Sequence, residues 1–79
     1  MNYQERQKRK AKISRMCIAM KDAKKRDLAT QLKLTPSELS AMLHGTMSMD
    51  NVTFKILLDL LEVDEQLKER ILMSVSCDN

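Results

Sequence analysis

The chain has one glycine and one proline in 79 residues. An all-β domain needs turn residues about every ten positions, so that class is excluded. Aromatics are nearly missing too. Tyr3 and Phe54 are the only two, too few for a platform that stacks the bases of single-stranded nucleic acid. Two cysteines, Cys17 and Cys77, make no disulfide framework and fit a reducing cytoplasm. With one histidine, His44, they cannot assemble a structural zinc site. His44 has no cysteine or serine partner near it in sequence that would make a nucleophile, and Cys17 lies on an apolar stripe, where a thiol serves as a small core residue. No catalytic residue, metal or cofactor is therefore expected, and the chain is shorter than most enzyme scaffolds. No apolar run nears the roughly 20 residues of a membrane span. The basic start has no apolar core behind it, so no secretory leader is expected either.

What is present is Lys, Leu, Met, Glu and Ala, with 43% apolar and 32% charged residues. These are helix formers, and the expected class is all-α. The net charge of +3 conceals a segregation. Residues 1–33 carry eleven Lys/Arg against three acids, a net of +8. Residues 34–79 carry three against eight, a net of −5. A basic half joined to an acidic half points to a polyanion partner on one face.

Residues 1–12 form a basic extension, able to continue the first helix or to act as a mobile arm. The domain proper spans 13–75, followed by a flexible tail at 76–79. Ile13, Met16, Cys17 and Met20 stand at i, i+3, i+4, i+7 and predict a buried helical stripe. Leu28, Ala29 and Leu32 mark a short second helix. Thr35-Pro36-Ser37-Glu38 is a capping box with proline at the first helical position. The third helix buries Leu39, Met42 and Leu43 and stops at Gly45. Asp50 or Asn51 caps a fourth, which buries Phe54, Leu57, Leu58 and Leu61. Its second stripe, Val52, Ile56 and Leu60, lies on nearly the opposite side and needs a cover of its own. Asp64 caps a fifth, with Leu67, Ile71 and Val75 inward. The methionines read as core or loop filler.

The string KRDLATQLKLTPSELSAMLHG at 25–45 resembles the helix-turn-helix of the Cro/phage-repressor, or XRE-type, family. The resemblance continues through HGTMSMDNVTFKILLDLLEVDEQL and covers about residues 13–72. It implies a five-helix lambda-repressor-like domain that binds double-stranded DNA as a homodimer and regulates transcription, of the kind phages and mobile elements carry. Two positions depart from the family pattern. Lys33 stands where a glycine usually takes a left-handed backbone, and His44-Gly45 replaces the usual Asn-Gly. The segment 43–69 is also similar to the N-terminal domain of cyanases, whose catalytic domain has no counterpart here.

Lys24, Lys25 and Arg26 sit at the start of the second helix, where cations oppose the helix dipole and phosphate contact would offset them. Arg9, Lys10 and Lys12 in the basic extension are further phosphate binders. The resemblance places base readers at Pro36, Ser37, Ala41 and His44, with Thr46 beside them in the next loop. None of these makes the bidentate pair that Arg gives to guanine or Asn and Gln give to adenine. That weak reading head, Glu38 on the third helix and the acidic C-terminal half keep a second class open. This is a protein-binding module on the same scaffold, such as an antirepressor or an inhibitor of another regulator. A sequence-blind architectural protein is a third. A homodimer interface is expected from Val52, Ile56, Leu60, Leu72 and Val75, unless the chain's own fifth helix covers the stripe on helix four.

Overall fold

A computed structural model describes residues 2–76. Five α-helices and no strand occur among them: α1 Tyr3–Lys21, α2 Lys25–Leu32, α3 Pro36–Leu43, α4 Asn51–Leu60 and α5 Glu65–Ser76. The all-α expectation holds. From Cys77 onward, the expected tail lies outside the described residues. No helix among them is long and apolar enough to cross a membrane.

Each helix starts where local chemistry can satisfy its first N–H groups, with one exception. The Asn2 side chain accepts from Glu5 N at 2.8 Å and opens α1. Thr35 Oγ1 accepts from Glu38 N at 3.1 Å, while Glu38 Oε1 accepts from Thr35 N at 2.9 Å, which completes the capping box. Asp50 caps α4 by accepting from Thr53 N at 2.7 Å. Asp64 accepts from Gln66 N and Leu67 N at the head of α5. The exception is α2, whose N-cap, Lys24, makes no side-chain cap bond.

The core is built on α4. Phe54, Leu57 and Leu58 are wholly buried, and Leu61 nearly so. Leu28 and Ala29 of α2 and Leu39, Met42 and Leu43 of α3 pack into the same cluster, with Cys17, Ile18, Met49 and Val75. Ala29 is the small residue that lets α2 and α3 approach closely. Lys33, after α2, takes φ 60° and ψ 38°, the left-handed conformation that the glycine of the sequence pattern would have adopted without strain.

Three packing expectations change. On α1 the buried residues are Lys10, Ala11, Ser14, Cys17 and Ile18. Met16 is 53% and Met20 72% exposed. The inward stripe carries a lysine and a serine, so a search for apolar spacing selects a stripe turned too far around the helix. On α5, Leu67 is exposed and Lys68 is buried in its place. Lys68 donates to Asp59 of α4 and, at 2.9 Å, to Glu65 one turn earlier. These bonds raise its pKa above the ordinary lysine value. The methionines divide: Met42 and Met49 are core, whereas Met16, Met20, Met47 and Met73 are exposed.

Candidate functional site

Residues 3–15, the basic extension and the start of the domain, are one continuous helix that holds the loop after α3. Tyr3, Gln7, Lys10 and Ser14 recur at i, i+4, i+7, i+11 and so share a face. Tyr3 Oη donates to Ser48 Oγ at 2.6 Å. Gln7 Oε1 accepts from Met49 N at 2.7 Å, and Lys10 Nζ donates to Met49 O at 2.9 Å. Ser14 Oγ lies 4.0 Å from Met49 Sδ. Arg15 donates to Leu43 O at the end of α3. Met49 is thereby pulled into the core, and both polar groups of its backbone are satisfied by α1.

This placement corrects one assignment. Lys10 was expected to meet phosphate from the surface, but it is 4% exposed and bonded to Met49 O. Burial lowers its pKa below the ordinary lysine value, with the negative charge of Asp50 working in the opposite direction. Arg9 and Lys12, on the outer face of α1, are exposed as expected. So are Lys24, Lys25 and Arg26, which with Asp27 line a shallow hollow at the start of α2. Because Lys24 supplies no cap, the first N–H groups of α2 have no side-chain acceptor among the described residues.

The third helix carries the other assembled surface. Ser37, Ala41 and His44 follow each other at i, i+4, i+7 on the side away from Leu39, Met42 and Leu43. Pro36, Ser37, Ser40, Ala41, His44 and Thr46 together line one open concavity of about 610 Å³. All five residues expected to read bases are thus brought together, with Ser40 added between them.

The floor of this surface is fixed at its C-terminal end. Gly45, at φ 79°, turns the chain back. Its N–H reaches Met42 O at 3.2 Å, and Thr46 N reaches Ala41 O at 2.9 Å. This crossed pair is a Schellman closure. Met47 N also reaches Ala41 O, at 3.2 Å. Two side chains join it: His44 Nδ1 lies 2.8 Å from Ser40 O, and Thr46 Oγ1 donates to Ala41 O at 3.2 Å.

The expected dimer surface is divided by the structure. Val52 is 68% and Ile56 43% exposed, with Leu60 half-buried beside them. The fifth helix does not cover this stripe, since it turns Lys68, Ile71, Leu72 and Val75 toward the core instead. Val75 is 1% exposed and Leu72 packs partly against the core. Val75 therefore cannot line an interface, because its side chain is already committed to the chain's own interior.

Sequence reading missed the clamp formed by Tyr3, Gln7, Lys10 and Arg15. A signal existed. Extending the spacing of Cys17 and Ile18 back toward the N-terminus passes through Ser14, Lys10, Gln7 and Tyr3. Polar residues at core positions are invisible to a search for apolar ones.

Comparison with known protein families, characterised proteins and solved structures found no match to the chain.

Proposed function

We propose that the chain is a small double-stranded-DNA-binding regulator of transcription, with α2 and α3 as the helix-turn-helix pair of a lambda-repressor-like domain. One observation carries the reading: Pro36, Ser37, Ser40, Ala41, His44 and Thr46 line a single open surface, free of Lys, Arg, Asp and Glu, on a helix whose opposite side is core. A helix presented in this way can enter a major groove and place small polar side chains against base edges. The uncapped start of α2, with Lys24, Lys25 and Arg26, supplies positive charge and free N–H groups suited to backbone phosphate. Arg9 and Lys12 add charge from α1, while Lys10 acts by bracing the loop.

Such a small reading head needs a second unit to gain affinity and specificity. In this reading the partner is a second copy of the chain, docked through exposed Val52 and Ile56 of α4 with half-buried Leu60 beside them.

The test is a gel shift on random and selected duplexes at two salt concentrations. Specific retention is the expected result. Changing Lys24, Lys25 and Arg26 together to Ala weakens binding to every duplex alike. It also flattens the slope of log K against log salt by roughly one for each phosphate that is no longer neutralised. Binding that ignores duplex sequence would favour an architectural protein. Failure to bind any duplex at low salt would favour docking on another regulatory protein.

A further inference from the structure

We infer that the C-terminal end of the α3 surface, in the neutral form of His44, presents hydrogen-bond acceptors to a ligand, and that on DNA it selects the amino bases, adenine or cytosine, on the strand it touches. This rests on the DNA reading above.

The inference comes from where two protons go. His44 Nδ1 lies 2.8 Å from Ser40 O. A carbonyl oxygen can only accept, so Nδ1 must carry the hydrogen. In the neutral ring Nε2 then holds a lone pair, and it is the nitrogen left for a ligand. Thr46 repeats the arrangement. Its hydroxyl points its proton at Ala41 O, 3.2 Å away, and in that rotamer presents oxygen lone pairs to a partner. Both side chains line the same concavity. Ser37 and Ser40, nearer the start of α3, carry no such bond among the described residues, and their hydroxyls remain able to donate or accept.

Two consequences follow. Phosphate oxygens offer no proton, so in this arrangement Thr46 and neutral His44 have no hydrogen to give them. In the major groove the donors are the exocyclic amines, N6 of adenine and N4 of cytosine. Guanine O6 and N7 and thymine O4 are acceptors and would face the lone pairs of His44 and Thr46 without a shared proton. The code written here is amino against keto, A or C against G or T, read on one strand.

The surface can be altered without orphaning the helix end. Ser40 O also accepts from His44 N at 3.0 Å, and Ala41 O also accepts from Thr46 N and Met47 N. His44→Ala and Thr46→Val therefore leave every carbonyl involved with a donor.

Two measurements test the inference. The first needs no DNA: in alkaline buffer, with the ring neutral, long-range proton–nitrogen NMR places the His44 hydrogen on Nδ1. A hydrogen on Nε2 overturns the inference. The second is selection from random duplexes with wild type, His44→Ala and Thr46→Val. Wild type recovers A or C at the positions where the variants lose preference. Replacing that base by its amine-free analogue, purine for adenine or 2-pyrimidinone for cytosine, costs wild type about tenfold in affinity. The same replacement at the base that His44 reads costs His44→Ala nothing further. Recovery of G or T at those positions overturns the inference and leaves the DNA reading standing. If no duplex is retained at low salt, the DNA reading falls and the inference with it, even with the hydrogen on Nδ1.

Discussion

Lys33 closes α2 in the left-handed conformation, at φ 60°. Its backbone is anchored there: Lys33 N reaches Thr30 O at 3.2 Å, and Leu34 N reaches Ala29 O at 2.9 Å. Its side chain is exposed and makes no hydrogen bond or ion pair among the described residues. The position therefore isolates one physical quantity, the cost of a side chain at positive φ. That cost is about 1–2 kcal/mol. Lys33→Gly removes it but lets the unfolded chain gain freedom, worth about 0.5 kcal/mol. It also loses a cation near the carbonyl end of α2, worth about 0.3 kcal/mol at an exposed site. The expected balance is a gain of roughly 0.7 kcal/mol, or about 4 °C in melting temperature for a domain of this size. Lys33→Val makes the same deletion of charge but adds β-branching at positive φ, and lowers stability by about 1 kcal/mol. Thermal and urea melts followed by circular dichroism read both. Glycine below wild type, or glycine and valine melting together, would show that the turn is not strained and refute the reasoning. Neither change touches the α3 surface, so duplex selection should return the same sequence.

Three other outcomes are expected. Thr35→Ala deprives Glu38 N of its acceptor and lowers stability by about 1 kcal/mol, whereas Thr35→Ser restores most of it; urea melts of the pair separate capping from general damage. Because burial holds Lys10 below the ordinary 10.5, the unfolded chain binds more protons between that lowered value and 10.5. The stability of wild type relative to Lys10→Met therefore rises as pH climbs through this window, and equal gaps in urea midpoint at pH 7 and pH 10 would contradict it. Lys68, raised above 10.5, contributes stability that fades only at higher pH and is common to both proteins. Finally, Val52→Asp with Ile56→Asp should turn a dimer into a folded monomer by sedimentation equilibrium, since both side chains are exposed and their loss leaves the core intact; a wild type that is monomeric up to high micromolar concentration would remove the dimer.

What the chain determines locally could be read from its residues. The capping box at Thr35–Glu38, the stop at Gly45, the Asp50 and Asp64 caps and the Phe54, Leu57, Leu58, Leu61 stripe depend on neighbours within about four positions. The exposed side of α3 follows from the same step of 100° per residue. The face of α1 was not legible in this way. Its inner stripe contains Lys10 and Ser14, and the partner that makes a buried lysine tolerable is the carbonyl of Met49, 39 residues along the chain. Only the tertiary arrangement brings donor and acceptor together, so only it could decide that Met16 and Met20 face outward and Lys10 inward. Lys68 was settled similarly, by how α5 lies on α4 and sets it against Asp59, whereas Val75 lies inward as its helical spacing implied. The bonds of His44 and Thr46 belong with the local features: their acceptors, Ser40 O and Ala41 O, stand four and five residues back, and the turn at Gly45 that carries Thr46 past the helix end is itself a local stop.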